Sequence, residues 1–301
     1  MQKPNSNLEF FINEYSGYLT AKQKSAILNG LELTARLEKY AEQALGLRPD
    51  LVETKRNTMI WSPPGAGKTF TVRNVADTNN IDYVKYHGKA SLNAFVMKMA
   101  KACYEHGSAK IIPVWIDDCD SFFGDKAHLD FMKIVLDNDE PAISWDVNVS
   151  SQITKAEKIG DHDLVAALKH FDNGGVGIEI PLDNCRFVIT TNKQLASKQD
   201  LSKKKTAIDE HAVRDRVQWR AFNINNEESW GWMASVMLSN NVFQDDGFSL
   251  NPLQMFQLLQ IFHSNWDNLS ANSMRTVKEA GAMLYNSPDT FADEFEQNFL
   301  K

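Results

Sequence analysis

The chain has 301 residues, 43% of them apolar and 24% charged, with a formal net charge of −7 at neutral pH. That size and apolar content suffice for one substantial α/β core and a smaller second lobe, and the acidic balance weighs against a broadly basic nucleic-acid surface. Three scattered cysteines, Cys103, Cys119 and Cys185, have neither metal-ligand spacing nor an even-numbered disulfide framework, so reduced, buried thiols are expected.

In chain order, Met1 to Asn7 lacks a basic start with an apolar stretch behind it, and no apolar run approaches 18 residues. No membrane association and a cytoplasmic location are therefore expected. Residues 8–48 read as helical, with Ala26, Ile27, Leu31, Leu33, Leu37, Tyr40, Ala44 and Leu45 near helical spacing, and are expected to form a flank packed on the core. Residues 55–224 alternate strands and helices in the way that builds a parallel sheet. The strands are expected at Thr58–Trp61, Tyr83–His87, Ile111–Ile116, Phe187–Thr190 and Ala221–Ile224. Between the third and fourth of these lies an insert, about residues 137–184. Its alternating piece Ala142 to Val149 and the segment Val176 to Pro181, which follows the turn Asp172-Asn173-Gly174-Gly175, predict a hairpin. After Asn226 the pattern turns helical, through Trp230, Met233, Val236 and Met237, then Leu253, Phe256, Leu259 and Phe262, then Val277 to Leu284. Three regions follow: a helical flank (1–49), an α/β domain (50–224) and an α-helical lid (225–301).

The chemistry concentrates where strands end. After Thr58–Trp61 the chain reads Ser62-Pro63-Pro64-Gly65-Ala66-Gly67-Lys68-Thr69-Phe70, a phosphate-cradling loop that leads into a helix. Glycines allow successive backbone N–H groups to curl around an anion. Lys68 can reach β- and γ-phosphate oxygens, the Thr69 hydroxyl can ligate Mg²⁺, and the helix dipole favours the negative charge. The loop departs from the usual G-x-x-x-x-G-K-[ST] pattern only at Ser62, where a glycine is common. The apolar run Ile111 to Ile116 ends in Asp117-Asp118, with Asp117 suited to hold Mg²⁺ through its water shell and Asp118 to polarise the attacking water. The strand Cys185 to Thr191 ends at Asn192, positioned to orient that water. Arg214 and Arg216 precede the last strand and suit a cation that stabilises transition-state charge on a neighbouring subunit's γ-phosphate. Arg275 falls in the first turn of a helix, where the dipole disfavours a cation, which hints that it faces an anion. Ligands of such sheets bind outside the carboxyl ends of the strands, where these residues fall.

With these motifs in this order, the chain resembles the AAA+ ATPases over roughly residues 50–285. The resemblance implies an α/β P-loop NTPase fold, a parallel sheet with flanking helices followed by a small helical lid, and ATP and Mg²⁺ as cofactors. It makes residues 64–70 the Walker A loop, Asp117 and Asp118 the Walker B pair, Asn192 sensor 1, Arg216 the arginine finger with Arg214 as understudy, and Arg275 sensor 2. A finger acting in trans implies a homo-oligomeric ring or partial ring working on a macromolecule, protein or DNA. Such a ring could concentrate lysines along its channel despite the acidic total. Asp118 stands where many members have glutamate, and the shorter carboxylate predicts slow hydrolysis or need of a partner. The run Gly177 to Phe187 resembles the MoxR-like and dynein-related branch, in which such hairpins can touch substrate in the ring channel. Gly88-Lys89-Ala90-Ser91-Leu92 occupies the place of a substrate-gripping pore loop but has no aromatic, and Lys203-Lys204-Lys205 reads as a solvated basic run. Three roles remain open: a protein-remodelling machine, a helicase-loader-like or clamp-loader-like factor, and an ATP-binding switch with negligible turnover.

Overall fold

The computed structural model describes residues 12–15, 17–48, 50, 55–88, 91–107, 110–202, 205–239, 242–243 and 247–301. Residues 1–11, 16 and 49 of the expected flank, Lys89 and Ala90 of the pore-loop position, and Lys203 and Lys204 lie outside them. The chain forms two compact units: one of Tyr40–Ser62 and Thr69–Ala221, the other of the described residues up to Lys39 with Pro63–Lys68 and Phe222–Lys301.

The first unit is built on a parallel five-stranded sheet. Its strands are β1 (Thr58–Trp61), β2 (Val84–His87), β3 (Ile112–Asp117), β6 (Cys185–Thr191) and β7 (Gln218–Ala221), in the order β2-β3-β6-β1-β7. Helices α2 (Lys68–Thr78), α3 (Leu92–His106), α4 (Lys126–Val135) and α7 (Ala207–Asp215) occupy the crossovers. β3 and β6 are buried along their whole length, which explains their continuous apolar runs: strands covered on both faces have no solvent side to alternate with. Phe95 of α3 meets Phe122 and Phe131 edge to face at ring distances of 5.3 and 5.7 Å.

The last strand lies earlier than Ala221–Ile224. Residues Gln218 to Ala221 pair in parallel with Thr58 to Trp61, and Gln43 Nε2 donates to Gln218 Oε1 at 2.6 Å while Arg220 donates to Gln43 Oε1. This is a polar edge strand, and apolar patterning pointed past it to Phe222, which is buried in the second unit.

The insert forms the expected antiparallel pair, β4 (Ala142–Asp146) with β5 (Gly177–Pro181), but the pair encloses two helices, α5 (Val149–Lys158) and α6 (His162–His170). Val149 is helical, not the end of a strand, because Asn148 caps α5 by accepting the Ser151 N–H at 2.8 Å. Ile143, Ile178 and Ile180 are buried in the sheet's own core cluster, so the insert is part of the fold's packing; Val176, beside Gly174 and Gly175, is exposed.

Helix α1 (Ala21–Ala44) opens with a capping box: the Thr20 N–H donates to Gln23 Oε1 at 2.9 Å, and the Gln23 N–H to Thr20 Oγ1 at 3.2 Å. That box corrects the continuous helix expected over residues 8–48. α1 closes at Gly46, φ +77°, with Leu47 N–H on Glu42 O and Gly46 N–H on Gln43 O, the Schellman pattern that needs a left-handed residue.

Within the second unit, α1 crosses α8 (Asn226–Ser239) at two glycines. A Cβ on Gly30 would come within 2.2 Å of the Gly231 carbonyl oxygen, and one on Gly231 within 2.2 Å of the Ala26 carbonyl oxygen. The helices touch backbone to backbone. α9 (Pro252–Asn265), α10 (Met274–Asn286) and α11 (Phe291–Phe299) complete this unit. Phe262 meets Phe295 edge to face at 5.3 Å, and Ser270 N–H donates to Phe299 O at 2.8 Å.

Candidate nucleotide site

Residues 63–68 form a glycine-dependent turn. Gly65 and Gly67 adopt φ of +83° and +75°, left-handed values that a side chain disfavours. Each is also tightly packed within the helical unit, to which the turn belongs: a Cβ on Gly65 would lie 2.6 Å from Asn272 O, and one on Gly67 2.5 Å from the Trp232 ring. Pro64 is exposed and Ala66 buried. Lys68 is buried and its Nζ donates to Pro63 O at 3.3 Å, drawing the amine back across the turn. Asn272 and Ser273, beside Gly65, open α10; Ser273 caps it by accepting the Thr276 N–H at 3.2 Å. Arg275 sits in that first turn and is exposed.

In the sheet unit Thr190 and Thr191, which close β6, and Asn192 just after it each hold one aspartate at the end of β3 or just beyond it. Thr190 Oγ1 donates to Asp117 Oδ1 at 2.7 Å, Thr191 Oγ1 to Asp120 Oδ1 at 2.5 Å, and Asn192 Nδ2 to Asp118 Oδ1 at 2.7 Å. Thr69 Oγ1 also donates to Asp117 Oδ1, at 2.7 Å; Thr69 itself is exposed and Phe70, next in α2, half-buried. Asp117 is almost completely buried. Burial pushes its carboxyl up, but the Thr69, Lys85 and Thr190 contacts and the Lys85 charge outweigh burial and hold it below the usual carboxylate range. Its Oδ2 faces Lys85 Nζ at 2.9 Å and His87 Nδ1 at 3.4 Å, the former an ion pair without hydrogen-bond alignment, since Oδ2 has no aligned donor. Asp118 is exposed and left-handed, φ +53°, a region where Asp and Asn are the tolerated side chains. Cys119, buried between these carboxylates, is pushed up to about 11 by burial first and then by their charge.

Arg214 and Arg216 both have partners within the sheet unit. Arg214 lies over the Trp219 ring at 4.4 Å and donates to Leu195 O. Trp219 stacks on Trp61 at 6.3 Å, and Trp61 Nε1 donates to Asn192 O at 3.1 Å, so two indoles stand between Arg214 and the Asn192 backbone. Arg216 donates to Ala212 O and approaches Asp137 at 3.6 Å.

The residues fit a magnesium nucleotide: two left-handed glycines, a lysine and a threonine follow one another, and the threonine hydroxyl is bonded to a buried, ionised aspartate. Sequence reading missed Lys85, Trp115, Thr190 and the position of His87 against Asp117. The parallel register pairs Lys85 with Trp115 and His87 with Asp117, so period-two alternation along β2 and β3 carried the signal once the pairing was known.

Fold and loop together define a P-loop nucleotide-binding protein. Residues 58–206 match the family model described as ATPase family associated with various cellular activities (AAA), and the chain belongs to the AAA+ ATPases. No curated protein matches it. Among the described residues no helix is long and apolar enough to cross a membrane.

Proposed function

We propose that this protein is a Mg²⁺-dependent ATPase that works as a homo-oligomer and couples nucleotide state to remodelling of a protein substrate. The observation that carries the ATPase reading is the paired arrangement at the strand ends: Thr69 and Asp117 joined by a 2.7 Å hydrogen bond, and Asp118 held by Asn192 at the same distance. Lys68 would hold the β- and γ-phosphate oxygens, Thr69 and Asp117 the Mg²⁺, and Arg275 the nucleotide. The ion, when bound, would neutralise charge on the phosphoryl group. Asp118, with one oxygen occupied by Asn192, would accept the proton of water through the other, and its tether and short side chain support slow turnover. Arg216, with Arg214 as the alternative, would act on the nucleotide of a neighbouring subunit.

The integral β4–β5 insert supports the protein-remodelling reading of the MoxR-like or dynein-related kind, since it presents Val176 to solvent from a hairpin anchored in the core. The test is steady-state ATP hydrolysis by wild type, Lys68→Ala and Arg216→Ala at several concentrations, with and without single-stranded or duplex DNA. Lys68→Ala should lose nucleotide binding; unchanged affinity would remove the loop from the site. Turnover that steepens with concentration and ignores DNA supports the proposal. DNA stimulation would move the protein to replication or recombination, and tight binding without turnover to a switch. Arg216→Ala should keep binding and lose at least about tenfold in turnover.

A further inference from the structure

We infer that Lys85 is a resident counter-cation that weakens divalent-metal binding at Asp117 and so sets how much Mg²⁺ the site requires. The inference rests on the proposal that Thr69 and Asp117 hold the metal. Asp117 spends Oδ1 on two hydroxyls, Thr69 and Thr190, and turns Oδ2 to the Lys85 ammonium at 2.9 Å. The lysine is built into place. Its Nζ lies 3.9 Å from the centroid of the Trp115 ring, a cation–π contact, and Trp115 is fully buried. Trp115 Nε1 donates to Thr190 Oγ1 at 3.0 Å, and Thr190 donates to Asp117. Four side chains therefore close a ring: Lys85 on Trp115 and Asp117, Trp115 on Thr190, Thr190 on Asp117.

The parallel register explains why Lys85 stays there. Lys85 and Trp115 are Cα partners, as are His87 and Asp117 two residues on, so all four share one face of neighbouring strands. The ammonium remains within a few ångströms of the carboxylate whether or not the ion pair is made, and like charges at that range repel appreciably even in a water-rich site. His87, at 3.4 Å from Oδ2, lies beside the same oxygen but is largely exposed.

The test is Mn²⁺ binding to the full-length protein with saturating ADP, read by electron paramagnetic resonance of free Mn²⁺, so that no turnover is needed. Lys85→Met and Lys85→Gln should bind Mn²⁺ about tenfold more tightly than wild type, while Lys85→Arg, which keeps the charge, should stay close to wild type. Asp117→Asn identifies the site. Equal affinity in wild type, Lys85→Met and Lys85→Gln, with binding that depends on Asp117, would overturn the inference and leave the metal assignment standing. Weaker binding in both neutral variants would likewise overturn it, showing that Lys85 supports the site. Binding indifferent to Asp117→Asn would overturn the metal assignment and the inference with it.

Discussion

The carboxylate end of the sheet and the α1–α8 crossing hold the chain by opposite means. At the sheet, polar groups are gathered and each is answered: Thr190, Thr191 and Asn192 take Asp117, Asp120 and Asp118 in turn. At the crossing the closest contact is backbone to backbone, and Gly30 and Gly231 let two helices meet. Hydrogen bonds share a load, because Asp117 keeps Thr69 and Lys85 if Thr190 is lost. A backbone contact shares nothing, because one added methyl must displace a helix.

That difference orders the expected effects. Gly231→Ala, with its Cβ 2.2 Å from the Ala26 carbonyl oxygen, should cost about 3 kcal/mol by overpacking, seen as a lowered denaturant midpoint. A neutral result would show that the helices part easily. Thr190→Val removes one of several donors to Asp117 and leaves the Trp115 indole N–H without its acceptor, and should cost about 1–2 kcal/mol. Loss as large as that of Gly231→Ala would mean that the carboxylate ring is less redundant than its contacts suggest.

Acid should produce the smallest effect and separate the two regions by pH. His263, packed on Trp230 at 4.7 Å, is lowered from its ordinary 6.5, first by burial and then by the Lys22 charge. The unfolded chain therefore binds the proton more readily. The stability linked to His263 is complete above about pH 6.5 and declines as pH falls from there toward the folded value. Asp117 is lowered from 3.8, so its contribution is complete above that value and declines only as pH falls through the depressed one. Hydrogen exchange between pH 7 and 5 should loosen the helices around His263 while the amides of β3 and β6 stay protected; His263→Phe should abolish the first response.

Much of the fold was legible because its signals are local. Thr58 to Trp61 is a strand as read, since a short apolar run before Gly65 and Gly67 has few other solutions. The parallel sheet and the helical C-terminal region likewise followed from periodicity. Polar edges escaped: β7 is held by Gln43, Gln218 and Arg220, and apolar patterning cannot register a strand stabilised by side-chain hydrogen bonds. Inside the expected helical lid, α11 was not picked out as a separate helix: Phe291, Phe295 and Phe299 recur every four residues, but the Thr290 side chain caps no backbone N–H ahead of them. Glu210 accepts the Ala196 N–H and the Thr206 hydroxyl from full burial, a role that no local pattern around it announces.

The sequence by itself determined that a glycine-lysine-threonine loop would follow a strand, that two aspartates would close another, and that an asparagine would close a third. These are consequences of residue type and strand length. Only the tertiary structure decided that Lys85 and His87 face Asp117, that Trp115 joins Lys85 to Thr190, and that Gly30 meets Gly231, because strand register and helix crossing are set by packing between segments far apart in the chain.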